Sequence, residues 1–576
     1  MIRFARLLVV ALLLIPSTAR ASDPEIGPSL RSLFSDAARA RLDRLLPAEG
    51  PSGALAAAAG TERLPVGCAT AQVSSLAEAR RQRSGGLHPA LAELLRPPEV
   101  PDPRRIGSAD GAFSLHYSER DRLLGPLSID ADRDGVPDLA EHVIEALQAG
   151  RSFLVGEMEL PWTPGERAFD VFLAPLGRGV EGYTVGAFGP RGRWQPRFIV
   201  LDAGLDRDRV MPASVHQVAH LVFGSFDAAR AAWWAEASAS FLTLAATGDL
   251  HGPEAGLRAR LRAPELSLRS DRLLLMQGSL LWPLFLVERT GDPSLLRAIW
   301  EEVGSAGIDP IAATRDALAR SVGLSLEDAH REYVAWNLFT GARDDGRHYS
   351  VGASLPETPL PAIGPGLPFR TEERTVEPLG SAAFLLLGDG RRGGLEIEVA
   401  ADGGAPAADL LLAYRSYGPD RVIVPVPLGE ERVGRVSVPS GDLEQAWILL
   451  RNSAVAPGET TRFQIRGRHD PYAPYDLASF NARPAGASLQ LEWSTASEQG
   501  MLGWNIHRSE TPDGAFTRLN DVALPALGDS TVETGYIFVD ASARPGRRYY
   551  YLLEGLTVSG LAERSHVVSG RIPPRR

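Results

Sequence analysis

The sequence contains no lysine, a single cysteine and no basic block. All 60 Lys and Arg positions are therefore arginine, and with 71 Asp and Glu residues the formal net charge is −11. An acidic chain of this kind is a poor ligand for nucleic acid, so we expect no nucleic-acid partner. The lone Cys68 excludes an internal disulfide and a thiolate metal cluster. We expect Cys68 to be a small buried hydrophobic residue rather than an activated nucleophile.

Long apolar runs are also scarce, and the clearest one lies at the N-terminus. Arg3 and Arg6 precede an apolar run at 7–15, and an Ala-x-Ala sequence at 19–21 suits cleavage by signal peptidase. The run has about nine residues, whereas roughly 20 are needed to span a bilayer. Residues 1–21 therefore predict a signal peptide, with an uncleaved anchor helix as the alternative. We expect a secreted or cell-envelope protein without a membrane span after signal cleavage.

The length of 576 residues predicts several domains at roughly 150 residues each. Strand-like runs followed by long helical patterns predict an α+β domain, and short alternating strands after a Pro/Gly-rich stretch predict two all-β sandwiches. The predicted segments are a signal peptide (1–21), an N-terminal extension or propeptide (22–111), the α+β domain (112–347), a linker (348–369), a β-sandwich (370–469) and a second sandwich (475–571).

The most informative stretch is an apolar helical pattern that contains His216 and His220 and stops at Gly224. At about 100° per residue the two imidazoles lie about 40° apart on one face, so both point at a common spot. Neutral imidazole is a frequent zinc ligand, and this spacing lets one helix supply two corners of a tetrahedron. A pair of histidines at this spacing also occurs by chance, so the pair alone leaves a metal site open.

A third candidate ligand is Glu236, which follows His220 by 16 residues near the start of a second helical pattern. Two histidines and a carboxylate form the ligand set of a catalytic zinc, which keeps a fourth position open to water. The alternative is a surface glutamate favoured by the dipole at a helix start.

These motifs resemble the gluzincin metallopeptidases, in which an H-E-x-x-H helix is followed by a helix carrying a glutamate ligand. Residues 64–350 are similar, more narrowly, to a family of secreted bacterial zinc metalloproteases. Members combine a cysteine-containing N-terminal segment, an F-x-I-H-Y strand, an acidic calcium-type loop, the histidine helix and C-terminal β-domains. The resemblance implies that the α+β domain is zincin-like, with His216, His220 and Glu236 as zinc ligands.

The chain departs from the family motif at Gln217, which stands where the family has its general-base glutamate. An amide is not basic near neutral pH, and general-base catalysis contributes roughly 10²- to 10⁴-fold. Since Gln217 is not a ligand, we expect zinc binding to survive. The sequence therefore favours a pseudo-peptidase that binds a polypeptide or protein ligand. The alternatives are an active secreted zinc endopeptidase that uses another base, and a non-catalytic adhesive or structural surface protein.

Residues 130–141 match the twelve-position calcium loop, in which alternating carboxylates point inward and a glycine allows the sharp turn. Ca²⁺ prefers six to eight oxygen ligands, which such a loop supplies. The predicted calcium ligands are Asp130, Asp132, Asp134, Asp138 and Glu141. The alternative is an exposed aspartate turn that caps the following helix.

The C-terminal segment at 475–571 resembles a fibronectin type III domain. The resemblance rests on Leu491-x-Trp493 in an early strand and on the strand patterns at 503–508 and 549–554. Domains of this type space or present other modules and carry no chemistry of their own. The preceding sandwich matches no motif.

Overall fold

A computed structural model describes the chain over a set of segments that omits the predicted signal peptide and most of the predicted extension. The described residues are 67–71, 73–74, 95–118, 129–162, 167–176, 180–188, 194–226, 231–248, 250, 253–363, 367–387, 394–414, 421–439, 443–470, 475–498, 500–512, 514–558 and 562–573. Among them, no helix is both long and apolar enough to cross a membrane.

The chain divides into two compact units. Of the described residues, the first comprises those between 67 and 263, 268–326 and 338–358, and the second comprises 264–267, 327–337 and those between 359 and 573. The first is a mixed α/β region followed by a helical region, and the second is built from antiparallel β-sheets. The multidomain order expected from the sequence is therefore confirmed at this level.

The first unit contains a six-stranded sheet with the order β1-β5-β6-β4-β3-β2. Its strands are β1 Gly67–Cys68, β2 Pro103–Gly107, β3 Phe113–Ser118, β4 Phe169–Ala174, β5 Val180–Phe188 and β6 Trp194–Asp202. β3, β4 and β6 run parallel to one another, while β5 pairs antiparallel with β6 and parallel with β1. Two strands from the predicted N-terminal extension, β1 and β2, thus belong to this sheet.

One helix of the first unit lies between β3 and β4 in the sequence, and the others follow β6. They are α1 Asp138–Ser152, which continues into a π-helical turn at Phe153–Glu157, α2 Arg207–Phe223, α3 Ala232–Thr247, α4 Glu254–Arg262, α5 Leu273–Gly278, α6 Leu281–Thr290, α7 Ser294–Ala306 and α8 Pro310–Ser321. α9 Leu326–Trp336 follows and belongs to the second unit from residue 327 onward.

Helices α2 and α3 form the centre of the first unit. α2 is buried continuously from Val210 to Phe223, and α3 from Trp233 to Thr247. At the end of α2, Phe223 stacks on Trp300 with ring centroids 4.5 Å apart. Because both helices are surrounded by packed side chains, their polar residues are held in fixed positions.

The second unit contains three sheets of five, ten and three strands. The strands are β7 Ala362–Ile363, β8 Phe369–Arg370, β9 Arg374–Val376, β10 Ser381–Leu387, β11 Gly394–Asp402, β12 Pro406–Tyr414, β13 Arg421–Val426, β14 Val433–Pro439, β15 Leu443–Asn452, β16 Thr461–Asp470, β17 Tyr475–Ala485, β18 Ser488–Glu498, β19 Met501–Ser509, β20 Thr517–Arg518, β21 Leu524–Pro525, β22 Thr534–Asp540, β23 Arg548–Thr557 and β24 Ala562–Arg571.

The two predicted sandwiches are connected within this unit. The ten-stranded sheet runs through both predicted segments, joined where Ser437 of β14 pairs with Glu563 of β24. Tyr550, Leu552 and Val567 from the C-terminal segment also pack in the core of the preceding one. The two segments therefore share a sheet and part of a hydrophobic core.

Candidate metal centre

The structure brings the three predicted zinc ligands together. His216 and His220 lie on α2 with their Nε2 atoms 3.2 Å apart. Glu236, on the facing α3, places its carboxylate 3.3 Å from His216 Nε2 and 3.5 Å from His220 Nε2. The alternative of a surface glutamate is excluded for Glu236, because its exposed fraction is 0%.

The sulfur of Cys68 completes this group, which the sequence analysis did not foresee. Its Sγ atom lies 3.4 Å from His220 Nε2 and 3.7 Å from a Glu236 carboxylate oxygen. Cys68 is placed next to the group by the pairing of β1 with β5, in which it lies opposite Gly182. The thiol is buried as expected, but the expectation that it is only a small hydrophobic residue was wrong, since its sulfur contacts polar side-chain atoms of Thr70, Gln217, His220 and Glu236.

The four donor atoms have the spacing of a tetrahedral metal site. Zinc bonds of about 2.0 to 2.3 Å in a tetrahedron separate the ligand atoms by about 3.3 to 3.8 Å. Four of the five separations, at 3.3 to 3.7 Å, lie in that range, and the fifth, between His216 and His220, is slightly shorter at 3.2 Å. The contacts of Glu236 use both of its carboxylate oxygens, and each of the four residues offers a donor atom within 4.8 Å of the others. This buried group of Cys68, His216, His220 and Glu236 could hold a metal ion.

The charges of the group favour a bound cation. Burial and the Glu236 carboxylate raise the pKa of the Cys68 thiol, but the imidazoles of His216 and His220 together have the larger effect. The net result is a pKa lowered from 9.0 to about 6. Burial raises the pKa of Glu236, whereas the same two imidazoles depress it below its usual value. Burial lowers the pKa of the His216 imidazole, but Cys68 and Glu236 raise it to about 10. In the absence of a metal a protonated imidazole therefore balances the two acidic groups, and a bound metal cation would take over that role.

Gln217 lies next to the group and is held by three hydrogen bonds. Its side-chain oxygen accepts from the hydroxyls of Thr184, at 2.8 Å, and Thr70, at 3.1 Å. Its side-chain nitrogen donates to the sulfur of Cys68, at 3.3 Å. The residue is 1% exposed. Position 217 is therefore occupied by a fixed amide, which donates a hydrogen bond to the sulfur of Cys68 and has no basic atom that could accept a proton.

A recess of about 390 Å³ borders the group on the side of His216 and Cys68. Several polar residues that line it were not predicted: Glu181, Arg209, Ser240, Thr243 and Gln277. Glu181 and Arg209 form a two-point ion pair, with N–O distances of 2.7 and 2.9 Å. These residues come from β5, α2, α3 and α5, so no local sequence pattern joins them.

The acidic loop gathers three of its five predicted ligands. Asp130, Asp132 and Asp134 place carboxylate oxygens within 4.8 Å of one another, and this exposed triad could bind calcium. Asp138 lies outside the triad and accepts a hydrogen bond from the backbone of the loop at 2.8 Å. Burial and the carboxylates of Asp134, Asp132 and Asp138 raise the pKa of Glu141, which places it near the loop.

Comparisons with known proteins identify no family. No protein-family model matches the chain, and no curated protein matches it. A crystal structure of an Fn3-like protein from Clostridium thermocellum is 19% identical and matches with a TM-score of 0.14 over 18% of this chain and 99% of that one.

Two enzyme structures give likenesses of the same low quality. A pectate lyase from Pectobacterium carotovorum is 19% identical, with a TM-score of 0.12 over 16% of this chain and 26% of that one. A beta-1,2-glucanase from Parabacteroides distasonis is 14% identical, with a TM-score of 0.14 over 35% of this chain and 32% of that one. Such TM-scores carry no argument about fold or function.

Proposed function

We propose that the chain is an exported zinc-binding protein whose first unit is a gluzincin-like peptidase domain that has lost efficient peptide hydrolysis. His216, His220 and Glu236 would hold the zinc. When bound, zinc supplies Lewis acidity and lowers the pKa of a coordinated water. The remaining role is binding, with a polypeptide or protein ligand as the expected partner.

One observation carries this proposal: the residue beside the metal group is Gln217, whose amide is buried and held by hydrogen bonds. Peptide hydrolysis by a zinc site needs a group that takes a proton from water and returns it to the leaving amine. Gln217 cannot accept that proton. Glu181 lines the recess, but it is engaged by Arg209, which disfavours its use as a base.

The test compares zinc content and hydrolysis in the full chain. Elemental analysis should find about one zinc per chain, and wild type should cleave a labelled unstructured polypeptide no faster than metal-free His220→Ala. The double variant Cys68→Ala/Gln217→Glu restores a basic group and frees space at the metal. It should gain activity by up to roughly 10²- to 10⁴-fold, the contribution of general-base catalysis.

Two outcomes would support the alternatives. Zinc-dependent hydrolysis by the wild type, lost in His220→Ala, would indicate an active endopeptidase with another base. Wild type without zinc would contradict the metal centre and leave an adhesive or structural surface protein.

We also propose that the acidic loop binds calcium structurally. Its support is the proximity of the Asp130, Asp132 and Asp134 carboxylates and the turn at Gly135, whose φ of +97° suits glycine. Asp138 and Glu141 lie in the first turn of the following helix α1 and are the remaining candidate ligands. The fibronectin type III-like assignment of 475–571 likewise stays a hypothesis, with spacing or presentation as its role.

A further inference from the structure

The position of Cys68 explains why a glutamine occupies position 217. We propose that Gln217 is a positioning residue that holds the Cys68 thiolate in place as a fourth protein ligand of the zinc, so that the site is closed. This inference rests on the proposed zinc binding by His216, His220 and Glu236. It adds the fourth ligand, the role of Gln217 and the consequence for the N-terminal segment.

The first step of the argument is the direction of the amide. Thr70 Oγ1 accepts a hydrogen bond from the backbone N–H of Thr184, at 2.9 Å, and lies 3.1 Å from both Gln217 Oε1 and Cys68 Sγ. The Thr184 hydroxyl donates to the same amide oxygen, at 2.8 Å. With the oxygen engaged by hydroxyl groups, the NH₂ group faces Cys68 Sγ, where a donor stabilises an anionic sulfur.

The second step is a comparison with glutamate at the same position. A carboxylate would have no proton to donate to the sulfur. Instead it would place a further negative charge about 3.3 Å from Cys68 Sγ, the distance now spanned by the Gln217 amide, in addition to the Glu236 carboxylate at 3.7 Å. Like charges so close in a buried site are unfavourable. A glutamate at position 217 would therefore weaken the placement of the thiolate, whereas the glutamine donates a hydrogen bond to it.

The third step is the backbone that carries the sulfur. The N–H of Ala69 donates to the carbonyl of Gly182, at 3.1 Å, and the N–H of Thr70 donates to Cys68 Sγ, at 3.3 Å. Gly182 itself has no room for a side chain, because a Cβ atom there would lie 2.9 Å from the carbonyl oxygen of Val200. The close packing of β1, β5 and β6 thus fixes the sulfur at the group.

The consequence is a change in the type of zinc site. Structural zinc sites have four protein ligands, whereas catalytic sites keep one position for water. With Cys68 as the fourth ligand, the zinc joins β1 to α2 and α3 and ties the N-terminal segment to the domain. A zinc held by all four residues would keep no tetrahedral position for the water that a peptidase activates.

The test uses the full chain loaded with cobalt in place of zinc, because a thiolate ligand gives cobalt(II) a charge-transfer absorption band that nitrogen and oxygen ligands do not. Wild type should show this band, and Cys68→Ser should lose it while keeping bound metal. Gln217→Glu should weaken the band and expose the thiol of the zinc form to a thiol reagent at least about tenfold faster, the usual size of effects around a metal site. Gln195→Glu is the matched control, since it makes the same chemical change at an exposed position of β6.

The outcomes separate the two proposals. Wild type that binds neither zinc nor cobalt would overturn the proposed function itself. Bound metal without the charge-transfer band would overturn only the role of Cys68. A band and a labelling rate in Gln217→Glu equal to those of Gln195→Glu would overturn the role of Gln217. If Gln217→Glu does not fold, Gln217→Met removes the amide donor without adding charge and should show the same faster labelling.

Discussion

Removing the metal should destabilise the first unit, and the structure sets the size of the effect. The four donors are between 0% and 9% exposed, so they would be poorly hydrated after the ion leaves. A ligand that binds only the folded chain stabilises it by about 3 to 4 kcal/mol when its free concentration is about 100 to 1,000 times the Kd. For a unit of roughly 150 to 250 residues, each kcal/mol corresponds to about 2 to 4 °C in Tm.

We therefore expect a zinc-selective chelator to lower the Tm of the first unit by about 6 to 16 °C. Differential scanning calorimetry is the appropriate assay, because it records the temperature of each unfolding transition directly. Excess calcium is kept in the buffer so that the acidic loop is not stripped at the same time.

Glu236→Gln provides the matched control. This variant keeps the volume of the side chain and removes the carboxylate ligand, so its Tm should lie below that of the zinc-loaded wild type and should fall less when the chelator is added. Wild type confirmed by elemental analysis to have lost its zinc, yet with an unchanged Tm, would refute the reasoning.

Three further predictions concern other charged groups. Burial raises the pKa of Glu288 to about 7 from its usual 4.5, although Ser350 donates two hydrogen bonds to it. Because the folded unit binds this proton more tightly than the unfolded chain, the free energy of unfolding should fall by up to about 3 kcal/mol as pH rises from 4.5 through 7. Thermal unfolding of Glu288→Gln, measured against pH, should not show that loss. Asp409 and Arg451 form an ion pair at 2.8 Å with side chains 1% and 3% exposed, so Asp409→Ala should lower the free energy of unfolding by about 3 to 5 kcal/mol, and an effect below about 1 kcal/mol in denaturant titrations would contradict this. Calorimetric titration should show calcium binding that weakens about tenfold or more in Asp132→Asn, and equal affinity would argue for a simple helix-capping turn.

The parts of the metal centre that the sequence predicted are those set by local spacing. His216 and His220 share a helix, and the periodicity of that helix puts both imidazoles on one face. Glu236 begins the next helix, close enough in sequence for the pattern to include it. The structure brings all three together without any adjustment to the predicted positions.

Cys68 could not be found in this way because it lies 152 residues from His220. Its strand β1 has only two residues and pairs in parallel with β5, so it shows no alternating pattern. The joining of β14 to β24 in the second unit was missed for the same reason. In both cases the pairing is long-range, and a signal confined to neighbouring residues does not report it.

The roles of Gln217 and Cys68 are easier to explain when the two residues are considered together. Alone, Gln217 is a lost base, and alone, Cys68 is an unexplained buried thiol. Together they are consistent, because the amide that cannot activate water is the group that donates to the sulfur. Reversing one of them gives either a carboxylate beside a thiolate or an open zinc without a base. The hydrogen bond between the two therefore supports the proposal that the amide at the general-base position holds Cys68 as a fourth ligand.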